Sequence, residues 1–200
     1  MKVKRHVFLY IVSFPWDLIV AWPIVLIVRL LWGKDLKWET PPPYSREKGG
    51  GGGPCLTCQM KEGSFPVTPG IFPKGWYFNK KTERPWNGTT LGHGIFYGPS
   101  GRHGGWQNWT KTQAHEHIHV EQSEVSMLGS FVVGLIAGIV IFVLGHPVAA
   151  VSTFFGIWFT GYLIMGISGW LTAWLRGEEA YRGSAHEESA RGQSADLSKR

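Results

Sequence analysis

Cysteine is nearly absent from this chain: its 200 residues include two, Cys55 and Cys58. One C-x-x-C without a second pair excludes a disulfide framework and a four-cysteine zinc knuckle, leaving a redox pair or half of a metal site as its uses. Charge is also scarce, at 17% of residues, and it is missing altogether from Met127 to Leu144 and from Val148 to Leu175. Uncharged runs of this kind match the roughly 20 residues that cross a bilayer's hydrocarbon, and Gly145-His146-Pro147 between them reads as a tight turn. A transmembrane helical hairpin over 127–175 is therefore expected. No stripe of one sign is present either. The net charge of +6 is spread over the polar parts with Lys and Arg interleaved among acids, which speaks against a nucleic-acid face and favours anionic lipid headgroups as counterpart. Finally, no small-x-small site precedes Gly33-Lys34-Asp35, so the apolar N-terminus does not read as a cleaved signal peptide.

That N-terminal block, Val7 to Trp32, forms a membrane segment (1–33) interrupted by Pro15, Asp17 and Pro23. It is long enough for one span and too short for two, and a kinked span, a re-entrant hairpin and an interfacial segment all satisfy it. Residues 34–74, with Pro41-Pro42-Pro43 and five consecutive glycines, read as a Pro/Gly-rich linker. Order returns over 75–126. Gly75-Trp76-Tyr77-Phe78 and Thr89 to Tyr97 carry the aromatic and β-branched residues of short strands, the second ending in the turn Gly98-Pro99-Ser100-Gly101.

The densest chemistry lies in Gln113-Ala114-His115-Glu116-His117-Ile118-His119-Val120-Glu121-Gln122. As a helix it places His115 and His119 one turn apart on one face with Glu116 beside them, the H-E-x-x-H spacing of zinc hydrolases. As a strand, His115, His117 and His119 would share a face instead. The uninterrupted run into the apolar block favours the helix, which turns His117 away as a surface histidine. A catalytic zinc takes three protein ligands and keeps a position for water, with a carboxylate to accept the proton. Glu116 is placed for that role.

Thr90-Leu91-Gly92-His93-Gly94-Ile95-Phe96-Tyr97, a Gly-rich loop and then the Ala114-His115-Glu116 helix together resemble the core of small zincin-like (gluzincin-type) metallopeptidases. In these a T-x-G-x-x-I-x-[FY] strand leads to an A-H-E-x-x-H-x-x-Q helix. The resemblance covers about 35 residues. It implies a zincin-like metal helix with short strands, which together with the hairpin read above gives an α+β membrane protein whose metal helix continues into the hairpin. It also implies zinc bound by His115, His119 and a glutamate from a later helix, Glu116 as general base, and a peptide or protein substrate that pairs with the edge strand. The family's third ligand often stands in an acidic-Ala context. Glu178-Glu179-Ala180-Tyr181 fits this, with Glu179 preferred over Glu178, although the chain has no E-x-x-A-D string.

Geometry supports a ligand from the tail, 176–200. A hairpin over 127–175 brings the end of the motif helix and the start of the tail to the same membrane face. Tyr181 and His186 are then candidates to hold the oxyanion, and the chain beyond about Ser189 reads as disordered. Lys111, Arg176 and Arg182 flank the hairpin while its turn has no Lys or Arg, so the positive-inside rule puts the metal site at the cytoplasmic face of an integral membrane protein. Basic residues at both ends of the N-terminal block ask for a re-entrant or in-plane segment. Two further readings stand beside the peptidase: a non-catalytic membrane anchor or assembly protein, and a redox protein using Cys55 and Cys58.

Overall fold

The structure, a computed structural model, describes residues 2–40, 53–60, 88–97, 105–177 and 185–196. It is a mixed α+β chain with five α-helices and one small sheet among those residues. Helix α1 (Lys2–Trp16) passes through one π-turn (Asp17–Ala21) into α2 (Trp22–Trp32). Strands β1 (Gly33–Glu39), β2 (Cys55–Met60), β3 (Gly88–Leu91) and β4 (Gly94–Tyr97) form a sheet of order β1-β2-β4-β3. Helix α3 (Gly105–Val143) carries the histidine motif, α4 (Pro147–Leu175) returns beside it, and α5 (Ala185–Asp196) closes the described chain. Two helical stretches, Phe8–Leu31 and Thr112–Val143, are long and apolar enough to cross a membrane.

Three expectations change. The N-terminal block does not fold back at Pro15, Asp17 or Pro23. Trp16, Ala21 and Trp22 all keep helical dihedrals, and the π-turn absorbs the disruption by rephasing the helix face. The supposed linker 34–74 contributes β1 and β2, two of the four strands, because Leu56 and Cys58 alternate with Cys55 and Thr57 onto two apolar surfaces. The tail continues as helix to Asp196 instead of ending near Ser189. The strand expected at Gly75-Trp76-Tyr77-Phe78 and the turn at Gly98-Pro99-Ser100-Gly101 lie outside the described residues.

The sheet is the middle layer. On one face Leu56, Cys58 and Phe96 pack against Val25 of α2; on the other Cys55, Ile95 and Tyr97 pack against Val120 of α3. The odd spacing of Cys55 and Cys58 thus sends their thiols to opposite faces, both buried and free. This geometry argues against the redox pair. In the hairpin, Gly134 and Gly138 sit against the backbone oxygens of Phe154 and Ala150, and Gly161 against Ser130. Small residues do line the contact. On the α4 side the contact is made by Ala150, Phe154 and Gly161, and nothing approaches Gly156.

The layers are joined at the tip of the β3–β4 hairpin. Gly92 takes φ +56° there, and a side chain on it would strike Asp17 and Trp16. The next residue, His93, is wholly buried and donates its backbone N–H to Asp17 Oδ1 at 2.8 Å. Its Nδ1 lies 2.6 Å from Asp17 Oδ2 and its Nε2 3.0 Å from Glu124 Oε1 of α3. Burial opposes the imidazolium, but the hydrogen bonds and negative charge of Asp17 and Glu124 outweigh it and push the His93 pKa up to about 9.

A raised pKa in the folded state stabilises fully below the unfolded value near 6.5 and is lost as pH rises through about 9. The swing is about 3 kcal/mol at most. Thermal unfolding of the parent should therefore drop by roughly 5–10 °C between pH 6 and pH 9.5. His93→Gln should be less stable at pH 6 and show a much flatter profile. An equal slope in both proteins would remove His93 as the titrating group.

Candidate metal centre

The motif sits on α3 as the spacing requires. Ala114, Ile118 and Val120 are buried, and His115 and His119 stand one turn apart with ring centroids separated by 4.7 Å. Their Nε2 atoms face each other at 3.1 Å. The third group comes from α5: Glu187 Oε2 lies 3.3 Å from His115 Nε2, and Glu187 Oε1 lies 3.1 Å from His119 Nε2. All three residues offer ligand atoms within 4.8 Å of one another. The group can hold a metal ion.

The donor atoms themselves test that fit. Two imidazole nitrogens at 3.1 Å cannot both carry a hydrogen. His119 Nδ1 lies 2.8 Å from Gln122 Oε1, an acceptor that would hold the proton on Nδ1 when Nε2 serves a metal ion. A tetrahedral ion with bonds of about 2.0–2.1 Å separates its ligand atoms by about 3.3 Å; the two Nε2 atoms, at 3.1 Å, come close to that, and Glu187 turns one oxygen to each of them. Burial alone would raise the Glu187 carboxyl, but its bonds to His115 and His119 hold it well below the usual carboxylate range. Burial would likewise disfavour a charged His119, yet Glu187 and Glu116 raise its pKa.

Glu116 is 2% exposed, deeper than either histidine ligand. Thr90 of β3 donates its hydroxyl to Glu116 Oε2 at 2.8 Å, with Glu116 O also at 3.2 Å. A side chain at Gly88 would come within 2.6 Å of Glu116 Oε1, so only glycine lets β3 approach this closely. Burial pushes the Glu116 pKa up, while His119, His115 and the Thr90 hydrogen bond pull it down without cancelling the rise.

Other expected residues fall elsewhere. Glu178, Glu179 and Tyr181 lie outside the described residues, and His186 lies in α5 next to Glu187. The sequence reading missed Glu187, which had a legible signal: Glu187 and Ala190 share the E-x-x-A spacing, with Arg191 where the family string has Asp. Ala190 is wholly buried one turn beyond Glu187. His117 is not a surface histidine. It points away from the metal group, but the sheet covers that face, and its Nδ1 lies 3.9 Å from Cys55 Sγ with the ring fully buried.

No family model, curated protein or solved structure matches this chain. The fold and site define an α+β protein with a small four-stranded sheet, two helices apolar enough for a membrane, and a His-His-Glu group able to hold a metal ion.

Metal affinity should follow the described geometry. In competitive chelator titrations with zinc, Glu187→Ala and His115→Ala should each weaken binding by more than the roughly 10–100-fold seen for outer partners of metal ligands. Glu188→Ala, at an exposed position of the same helix, should bind like the parent. Parent-like affinity in Glu187→Ala would remove Glu187 from the ligand set.

Proposed function

We propose that this chain is a membrane-bound zinc metallopeptidase. The observation that carries the reading is a buried carboxylate, Glu116, clamped by Thr90 beside three converging ligand atoms from His115, His119 and Glu187. Zinc suits this mixed nitrogen and oxygen donor set, and when bound it supplies a Lewis acid that lowers the pKa of its water toward about 7. Glu116 accepts the water proton and passes it to the leaving amine. Thr90 holds one oxygen of this carboxylate by its hydroxyl. Strand β3 stands at the sheet edge beside this carboxylate, where an extended peptide can add as a further strand. Tyr181 and His186 are the side chains the sequence offers for the oxyanion.

The membrane part rests on the hairpin. Beyond Met127, α3 and α4 expose Val133, Ile136, Phe142, Val151, Ile164 and Ile167 with no charged residue among them, an apolar surface beyond what soluble monomers show. By the positive-inside rule the metal site faces the cytoplasm.

Glu116→Gln should keep zinc and lose hydrolysis of an unstructured protein substrate by about 10²–10⁴-fold, because an amide holds the shape but cannot take the proton. Substantial turnover in this variant would sink the mechanism. For the topology, His146→Cys at the hairpin turn should be modified by a membrane-impermeant thiol reagent on intact cells. The native thiols are fully buried and give little background. Labelling seen only after permeabilisation would invert the orientation.

A further inference from the structure

We propose that the N-terminal helix lies in the plane of the membrane, its outer face in lipid, and seats the sheet and metal helix on the bilayer surface. This inference rests on the membrane hairpin proposed above and adds a second, differently oriented lipid contact.

The helix is apolar on its outside, and its one charged residue between Phe8 and Val28, Asp17, faces inward. Leu9, Val12, Ser13, Trp16, Asp17, Ala21 and Val25 are buried against the protein, and Asp17 is taken up by His93. Phe8, Ile11, Leu18, Ile19, Ile27 and Leu30 are 53–80% exposed, and no charged residue shares that face between Phe8 and Val28. A face of this composition belongs in lipid, and by itself would equally suit a span.

The sheet distinguishes the two. Strand β1 returns alongside the helix it follows. Gly33 packs on Arg29, Trp38 meets Trp22 with ring centroids 5.1 Å apart, and β1's partner β2 begins at Cys55, just after Gly53, which packs on Tyr10. The sheet therefore accompanies the helix from Tyr10 to Arg29. A spanning helix would carry β1, with Lys34 and Lys37 exposed, through the hydrocarbon, where an open strand edge and its charges have no partners. In the membrane plane, the same lysines stand beside headgroup phosphates and the exposed Trp38 occupies the interfacial zone that tryptophan favours.

Contacts with the hairpin give the level. Trp16 and Ala21 pack on Met127, where the uncharged part of α3 begins, and Trp16 Nε1 donates to Phe159 O of α4 at 3.1 Å. These contacts join the inner face of the helix to the start of the uncharged part of α3 and to the middle of that of α4. The covering occupant is the bilayer.

The test uses full-length protein in phosphatidylcholine/phosphatidylglycerol liposomes. Single cysteines at Ile11, Leu18, Ile27 and Leu30, and at Ile136 in the hairpin, are spin-labelled, and depth is read from relative relaxation by oxygen and by a water-soluble nickel chelate. An in-plane helix gives four oxygen-favoured labels at one shallow depth within a few ångströms, with Ile136 much deeper. A spanning helix would spread Ile11 to Leu30 over about 28 Å of depth, and that profile overturns the proposal. Labels relaxed by the nickel chelate as in water overturn it too. Should Ile136 also be water-exposed, the hairpin reading falls with it; a deep Ile136 beside wet or graded helix labels refutes the in-plane helix alone.

Discussion

One buried imidazole holds the layers in register. His93 sits between Asp17 of the π-turn and Glu124 of α3, so a single side chain bonds the N-terminal helix, the sheet and the motif helix together. Charges wholly removed from water are tolerated only when each finds a partner, and breaking such a cluster leaves an uncompensated charge inside. The hairpin tip is consequently held against Asp17, with Gly92 too close for any side chain. The position of β3 follows from that docking. Through β3 the constraint reaches Thr90 and Gly88, and so the carboxylate of Glu116.

The motif helix is restrained on its other faces as well. Val120 packs into the Cys55, Ile95 and Tyr97 cluster. Glu39 of β1 accepts from Tyr97 Oη and from Gln113 Nε2, both at 2.9 Å. Helix α5 closes the opposite side with Glu187. A site set on packed helices and strands holds its ligand atoms with less freedom than one set on loops. The close approach of Glu187 to His115 and His119, at 3.3 and 3.1 Å, reflects this frame.

Much of this was legible in the chain itself. The i, i+4 spacing of His115 and His119 put two imidazoles on one helix face, and the uncharged runs on either side of Gly145-His146-Pro147 announced α3 and α4. The hairpin also pointed to an acidic group from the returning tail beside the two histidines, and Glu187 of α5 stands there. Composition did not single out Glu187, since Glu178, Glu179, Glu187 and Glu188 are all acids near one helix exit. The approach of α5 is set by its packing against α3, a contact between segments about 70 residues apart.

By itself the sequence determined what short-range periodicity encodes: helical phase, uncharged length and turn chemistry, each set within a few residues by backbone geometry and solvation. Only the tertiary structure decided which faces were covered. It buried His117 against Cys55, separated Cys55 from Cys58 across the sheet, drew two strands out of a Pro/Gly-rich stretch, and made His93 the hub of the fold. The physical reason is common to all four. Burial and partner choice are properties of surfaces assembled from distant segments, and a histidine or a short strand has the same local sequence whether another layer covers it or water does.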